Sequence, residues 1–254
     1  MLLHSLRSGG ILCELFPNPS VICEVIQMKK LFDYVSTHKY LYLVLYWPVQ
    51  LMTYGITNLI FGSREVVLFS SPLDAQIPFC EWFVIPYVLW FPYIVGVMIL
   101  AVLSGKKGFL HSCALIYLSI FLPMTFCILV PNGIPITLRP DFEALGRDNP
   151  AIWLVKFIYL VDSPPRNCMP SMHVSVSCAL FFTILTNKQI PWRKWLIPGS
   201  FVLSVLICLA TVFIKQHSVL DLFAGVGVAV FVLIVVLLVE LVLRLRAKKK
   251  ASLT

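Results

Sequence analysis

Two short polar segments, each at the start of a long apolar run, carry the side chains best suited to chemistry. The first ends at His173, and the second contains His217 and Asp221. Histidine changes its protonation state near neutral pH and is therefore the side chain used most often for proton transfer in catalysis. The two segments indicate an active site to which both contribute.

The pair formed by His217 and Asp221 predicts a nucleophile. The two residues are four positions apart, so on a helix they lie on one face, about one turn from each other. The carboxylate can accept a hydrogen bond from one ring nitrogen, which leaves the other nitrogen free to attack phosphorus and carry the phosphoryl group. His173 would then protonate the departing alcohol and deprotonate the incoming acceptor, which is typically worth about 10²–10⁴ in rate.

A phosphoryl group also needs cations and hydrogen-bond donors around its oxygens. Arg139 offers a two-pronged guanidinium, Lys215 a second positive charge, and Ser171 a hydroxyl. Pro170 is a residue type favoured at the start of a helix, where free backbone amides can face an anion. We therefore predict Arg139, Ser171 and Lys215 as substrate-binding residues, and the set is complete without a metal or a cofactor.

The composition places this site in a membrane protein. Of 254 residues, 59% are hydrophobic and 13% are charged, whereas soluble domains have about 25% charged residues. The apolar runs lack the alternation of barrel strands, so we expect an all-α fold of six transmembrane helices at about 20 residues per crossing. Aromatic residues of the second helix, Tyr87 and Trp90 among them, suit the membrane interface. The predicted spans are residues 40–61, 82–103, 109–130, 172–186, 195–214 and 218–243.

Three regions follow from this division. Residues 1–38 mix polar and apolar positions without a cleavable signal sequence and suit an interfacial segment on the cytoplasmic side. Residues 39–243 form the six-helix domain, and residues 244–254 form a basic cytoplasmic tail. Met28, followed by two lysines, resembles a translation start, and we hypothesise that residues 1–27 are dispensable.

The distribution of basic residues predicts the orientation of the spans. With the N-terminus in the cytoplasm, 14 of the 20 lysines and arginines lie on the cytoplasmic side, as the positive-inside rule requires. Both termini are then cytoplasmic, and Arg139, His173, His217 and Asp221 all face the outside of the cell membrane. The basic residues flank apolar spans, so the expected partners are the bilayer and a membrane lipid substrate, with no nucleic acid.

The cysteines predict no disulfide framework and no zinc ribbon. The eight cysteines include no Cys-x-x-Cys pair. Cys113, Cys127, Cys178 and Cys208 fall inside apolar runs, where they pack as small hydrophobic residues.

The polar motifs follow one another in an order that resembles the type 2 phosphatidic acid phosphatase superfamily. The resemblance covers about residues 131–225 and implies a six-helix membrane phosphatase or phosphotransferase. It implies that the arginine, the serine, both histidines and the aspartate of these motifs form the active site, with His217 as the phosphorylated residue. The motifs are Arg139-Pro140, Pro170-Ser171-x-His173 and Lys215-Gln216-His217-x-x-x-Asp221.

Three positions depart from the motifs of that superfamily. Its usual lysine seven residues before the arginine is Asn132, its usual arginine six residues before the last histidine is Thr211, and its glycine between serine and histidine is Met172. Two phosphate-binding cations are thus absent from their usual places, and Lys215 is a candidate to supply one of them. The last two motifs resemble the branch that includes inositol phosphorylceramide synthase-like transferases, and so does Leu73-Asp74 with Ile77-Pro78-Phe79 upstream.

These observations favour a lipid phosphatase and leave three alternatives open. A transferase would pass the head group to a lipid or polyol hydroxyl, and its diester donor, with one charge less, would need fewer cations. A small transporter or scaffold would keep the fold without needing a nucleophile. A metal hydrolase would lose its activity in a strong chelator.

Overall fold

The structure, a computed structural model, describes residues 37–47, 49–50, 52, 55 and 65–252. The chain divides into two compact units, Met1–Gln50 and Leu51–Thr254. In the first unit, a 3-10 helix covers Lys39–Leu45. The Met28 hypothesis, most of the predicted interfacial segment and most of the second half of the predicted first span lie outside the described residues.

The second unit is mostly helical, as predicted. A 3-10 turn at Glu81–Phe83 precedes the second long apolar run. Another at Ile136–Leu138 directly precedes Arg139. The α-helices in chain order are α1 (Pro72–Gln76), α2 (Val84–Leu103), α3 (Gly105–Leu129), α4 (Phe142–Leu145), α5 (Pro150–Val161), α6 (Met172–Thr186), α7 (Arg193–Phe213) and α8 (Val219–Ala251).

The described residues contain four stretches long and apolar enough to cross a bilayer. They coincide with the second, third, fifth and sixth predicted spans and confirm these as candidate membrane helices. α8 also continues through most of the predicted basic tail to Ala251. The total of six crossings stays a prediction. The four stretches are Glu81–Leu103, Gly105–Leu129, Arg193–Phe213 and Val219–Ala251.

Helix α6 occupies the predicted fourth span and lies among the others. Its 15 residues make it shorter than a bilayer crossing. It packs against α2, α3, α7 and α8, and Val174, Val176 and Leu180 are fully buried. A helix that is surrounded by protein does not have to match the thickness of the hydrocarbon core, which accounts for its length.

Buried hydroxyl groups join α6 to its neighbours. Ser175 Oγ donates to the carbonyl oxygen of Ser119 on α3 at 2.8 Å, and Ser204 Oγ on α7 donates to the carbonyl oxygen of Ser177 at 2.9 Å. In membrane proteins such bonds contribute about 0.6 kcal/mol each. They fix α6, and with it His173, relative to α3 and α7.

A small parallel sheet, which the sequence did not predict, joins three loops. Strand β1 (Val67–Leu68) pairs with β2 (Asn132–Gly133), and Gly133 forms an antiparallel bridge with Arg166. A Cβ atom at Gly133 would lie 2.3 Å from the carbonyl oxygen of Pro165, so only glycine permits this approach. The loop that leads to Ser171 is thereby tied to the loop that leads to Arg139.

Candidate active site

The turn between α7 and α8 sets the position of His217. Helix α7 ends at Phe213, and the backbone amides of Gln216 and His217 both donate to the carbonyl oxygen of Thr211 at 3.0 Å. Lys215, within the turn, has a left-handed backbone conformation with φ of 54°. His217 therefore lies in a tight reversal of the chain that leads directly into α8.

A capping box starts α8 and places Asp221. The amide of Ser218 donates to Oδ2 of Asp221 at 2.9 Å, while the Ser218 hydroxyl accepts from the amide of Leu220. Oδ2 also lies 3.4 Å from Nδ1 of His217, which is within ion-pair distance. The structure thus brings the predicted pair together, with His217 two positions before the first helical residue instead of within the helix.

The start of α6 brings His173 to the same place. Ser171 caps α6 by accepting a hydrogen bond from the amide of Val174 at 3.4 Å, and its own amide donates to the carbonyl oxygen of Asp221 at 3.2 Å. Gly225 allows this approach, because a Cβ atom there would lie 2.8 Å from the carbonyl oxygen of Ser171. A main-chain hydrogen bond therefore joins the two histidine-bearing segments.

The two imidazoles are neighbours. The ring centroids of His173 and His217 are 6.0 Å apart. His173 also packs against Tyr87 and Trp90 of α2, each at a centroid distance of 4.3 Å. Nε2 of His173 is buried and has no hydrogen-bond partner in the described part of the chain, so it can bond to a ligand.

Sequence reasoning missed Tyr87 and Trp90 as site residues, because aromatic residues in an apolar span suit the membrane interface equally well. Their spacing was the available signal. Residues three apart on a helix share a face, and this face of α2 packs on His173. The contact holds one flat side of the imidazole and so limits its rotation.

Arg139 lies beside the turn that carries His217. A guanidinium nitrogen donates to Oε1 of Gln216 and to the main-chain and carboxylate oxygens of Asp162, each at 3.0 Å. The guanidinium carbon lies 4.1 Å from the ring centroid of Tyr159. Nε of Arg139 is buried and unpaired within the described residues, which leaves a donor for a bound anion.

Asp162 is an acidic residue of the site that sequence reasoning missed. It follows the last residue of α5, and its partly exposed carboxylate pairs with Arg139. Burial raises the pKa of this carboxyl group, and the charges of Arg139 and His217 oppose the rise. No motif marks Asp162, and the tertiary structure alone brings it close to Arg139 and His217.

The ammonium group of Lys215 bonds to main-chain oxygens. Nζ donates to the carbonyl oxygens of Asp74 at 2.7 Å and Ile77 at 2.5 Å, at the end of α1. Burial lowers the pKa of this amine, and the carboxylate of Asp74 opposes the change. Two of its three protons are thus used to hold α1, and a contact between Lys215 and phosphate stays a prediction.

Asp74 supports the other side of His217, a place that the sequence analysis did not assign to it. Its carboxylate accepts from Ser218 Oγ at 2.7 Å and from the amide of Val219 at 2.8 Å, and the residue is only 3% exposed. With the contact of Lys215, α1 therefore holds the chain both before and after His217. A capping-box pattern, with Asp74 three residues after a serine, was the available signal.

The two positions where the superfamily usually has cations serve the fold. Oδ1 of Asn132 accepts from the amides of Cys168 and Met169 at 3.0 and 2.8 Å, and its Nδ2 donates to the carbonyl oxygen of Met169 at 2.8 Å. Thr211 Oγ1 donates to the carbonyl oxygen of Cys208 at 2.7 Å. The Asn132 side chain thus orders the loop that leads to His173, whereas the Thr211 hydroxyl forms a hydrogen bond within α7.

The fold and the site together define a class of protein. Several apolar helices indicate a membrane protein. Its paired-imidazole site combines residues from three separate segments, at Arg139, at Ser171 with His173, and at His217 with Asp221. An imidazole beside a carboxylate, a second imidazole and a guanidinium form a set suited to phosphoryl transfer.

A comparison with protein families agrees with this class. The family model of the PAP2 superfamily matches residues 117–244, about half of the chain, so the protein belongs to the PAP2 superfamily. The matched region contains every predicted site residue. Members of the superfamily are generally phosphatases or phosphotransferases, which supports a function of that type. The chain matches no curated protein and no solved structure.

Proposed function

We propose that the protein is an integral membrane lipid phosphatase that hydrolyses a lipid phosphate through a phosphohistidine intermediate on His217. The observation that carries the proposal is the 6.0 Å separation between the rings of His173 and His217. At this separation one phosphoryl group can meet both imidazoles. A nucleophile and a proton donor can then act on opposite sides of the same phosphorus atom.

In the first step, Nε2 of His217 attacks phosphorus while the carboxylate of Asp221 orients the opposite nitrogen, Nδ1, which lies 3.4 Å away. The bond between phosphorus and the lipid oxygen breaks, and that oxygen takes a proton from Nε2 of His173. The lipid alcohol leaves, and the phosphoryl group remains on His217. This division into two displacements lowers the barrier that direct attack by water would face.

In the second step, a water molecule attacks the phosphorus atom and gives a proton to His173. The bond between phosphorus and Nε2 of His217 breaks, and inorganic phosphate leaves. Both imidazoles return to their starting protonation states. The mechanism assigns every proton transfer to a side chain and uses no metal.

Arg139 is the proposed phosphate-binding cation. Its Nε is a buried donor with no partner among the residues that the structure describes, and a guanidinium stabilises the charge on the equatorial oxygens of a transferring phosphoryl group. The Ser171 hydroxyl, which accepts from an amide, keeps its own proton for a phosphate oxygen. Lys215 is retained as a proposed ligand through its third proton.

The alternative function is transfer of a lipid head group to an alcohol, as in inositol phosphorylceramide synthase-like enzymes. The observation that favours it is the charge of the site. Asp162 partly neutralises Arg139, and positions 132 and 211 are neutral and bonded to the main chain. A site with so little positive charge suits a phosphodiester, which carries one negative charge less than a phosphomonoester.

Product analysis separates the two functions. Purified protein in lipid nanodiscs would receive either a lipid monophosphate or a phospholipid diester, each with and without an alcohol acceptor, and both lipid and water-soluble products would be identified. Free phosphate from the monophosphate alone supports hydrolysis, whereas a head group found on the acceptor supports transfer. Neither product from any substrate would contradict both enzymatic proposals and favour a transporter or scaffold.

For the location, we propose the cell membrane, with the site outside and both termini in the cytoplasm. Exposed Glu143 and Lys188 provide a matched pair of positions, predicted on opposite faces. A Cys introduced as Glu143→Cys should react with a membrane-impermeant maleimide on intact cells, and Lys188→Cys should react only after permeabilisation. The reverse pattern would overturn the orientation.

A further inference from the structure

Cys168 belongs to the same polar cluster as the proposed nucleophile. It is 2% exposed and lies in the loop before α6, where Asn132 holds its amide. Its Sγ atom, a ring nitrogen of His217 and a carboxylate oxygen of Asp221 all lie within 4.8 Å of one another. The proposed reaction gives this thiol no role.

Two buried polar atoms in the cluster lack hydrogen bonds, although Nδ1 of His217 lies 3.4 Å from Oδ2 of Asp221, within ion-pair distance. Nδ1 of His217 and Oδ1 of Asp221 have no hydrogen-bond partner anywhere in the described ranges. The side chain of His217 is 9% exposed and that of Asp221 is fully buried. A buried polar atom without a hydrogen bond destabilises the folded protein, so a ligand that bonds to both atoms would stabilise it.

The donor set indicates the kind of ligand. A sulfur, an imidazole nitrogen and a carboxylate oxygen together are ligands of Zn²⁺, whereas Mg²⁺ and Ca²⁺ prefer oxygen alone. Zinc binds such atoms at about 2.0–2.3 Å, so small side-chain rotations would bring the three donors onto one ion. Three protein ligands leave the fourth tetrahedral position open.

We propose that Cys168, His217 and Asp221 form a zinc site that inhibits the enzyme. The zinc ion would bind Nδ1 of His217, a carboxylate oxygen of Asp221 and the Cys168 sulfur, whose proton passes to the solvent. The proton on Nδ1 moves to Nε2, which then has no free electron pair for attack on phosphorus, and the ion also takes the carboxylate that orients the imidazole. Binding is independent of the proposed function, whereas inhibition rests on it.

Cobalt provides a direct test of binding. The full-length protein in detergent would be stripped with a chelator, desalted and titrated with Co²⁺. The wild-type protein should bind one equivalent, with a thiolate-to-cobalt charge-transfer band and the visible bands of a tetrahedral site, and Zn²⁺ should abolish both. Absence of the charge-transfer band in the folded wild-type protein overturns the proposal without any variant.

Two cysteine variants locate the site. Cys168→Ser should lose the charge-transfer band, while Cys113→Ser, which alters another buried free thiol, should keep it. Folding of each variant would be checked by gel filtration and thermal unfolding. An unchanged band in folded Cys168→Ser would overturn the assignment to this cluster.

Activity assays separate the two parts of the proposal. Zn²⁺ should inhibit lipid phosphate hydrolysis by the wild-type protein, and Cys168→Ser should need at least about tenfold more Zn²⁺, the factor that corresponds to 1.4 kcal/mol of binding. A cobalt band without any hydrolysis would keep the site and overturn the proposed function. A cobalt band with hydrolysis that zinc does not affect would overturn the inhibitory role.

Discussion

The backbone amide of Ser171 donates a hydrogen bond of 3.2 Å to the carbonyl oxygen of Asp221. This bond joins the start of α6 to the first turn of α8. His173 and His217 lie close to its two ends, and their rings come within 6.0 Å. The main chain therefore sets the distance between the two imidazoles, on which the proposed phosphoryl transfer depends.

Substitution of the two histidines should have different effects. His217→Gln should abolish phosphoenzyme formation, because it removes the nucleophile. His173→Gln should slow this step by about 10²–10⁴, the usual contribution of a general acid. The measurement is rapid-quench labelling with a radioactive lipid phosphate, in which a phosphohistidine is stable to alkali and labile to acid. His111→Gln, which alters a histidine bonded to Glu240 and Thr186, is the control, and label retained on His217→Gln would contradict the mechanism.

Asp74→Asn should lower kcat with little change in KM. Asparagine keeps one of the two oxygens that accept hydrogen bonds from Ser218 Oγ and the amide of Val219. Its NH2 group faces the other donor, and such an unsatisfied donor costs about 1–3 kcal/mol. The turn around His217 would then be less ordered and the protein less stable. Steady-state kinetics and thermal unfolding measure the two effects. Asp141→Asn is the control, since Asp141 is an exposed helix cap and asparagine caps equally well; wild-type kcat in Asp74→Asn would refute the positioning role.

The stability difference between wild type and Lys215→Met should depend on pH. Burial lowers the pKa of Lys215 from its ordinary value of 10.5, so between the folded and unfolded pKa values the unfolded chain binds more protons. The wild type therefore gains stability as pH rises through this window, up to about 10.5. Lys215→Met lacks this gain. The melting temperature of the wild type minus that of Lys215→Met should therefore increase as pH rises. Exposed Lys188→Met is the control, and parallel curves for wild type and Lys215→Met would contradict the lowered pKa of Lys215.

Asn132→Lys, which restores the usual cation of the superfamily, should not raise activity. Asn132 is fully buried and makes hydrogen bonds with the main chain of Cys168 and Met169. Loss of these bonds leaves buried donors unpaired at about 1–3 kcal/mol each, and the loop before Ser171 loses its support. We expect a lower melting temperature and lower turnover. Faster hydrolysis with unchanged stability would instead show that a cation is tolerated and useful there.

Asp162→Asn should favour monoester substrates over diesters. The amide can still accept from Arg139, but the negative charge beside the guanidinium is removed. A dianionic phosphomonoester gains more from this change than a monoanionic diester, and we expect a shift of about tenfold in their kcat/KM ratio. Parallel assays of both substrates give the ratio, with exposed Asp148→Asn as control. An unchanged ratio would mean that Asp162 does not influence the choice of substrate.

By itself, the sequence determined the helical membrane class, the order of the motifs and the proximity of His217 to Asp221. Each depends on contacts within one segment: unbroken apolar runs at 82–103 and 195–214, or two residues four positions apart. The spacing of Tyr87 and Trp90, three residues apart, could also have indicated that they share one face of a helix.

Only the tertiary structure decided which distant residues surround His217. Asp74 of α1, Asp162 after α5 and Cys168 before α6 reach it from three separate segments, and no local pattern indicates that these segments will meet. The contacts of Lys215 also depend on the tertiary structure. Its charge alone suggests a contact with phosphate, but in the structure its ammonium group donates to two carbonyl oxygens at α1. Charge and spacing show what a side chain can bind, but packing selects the partner that it does bind.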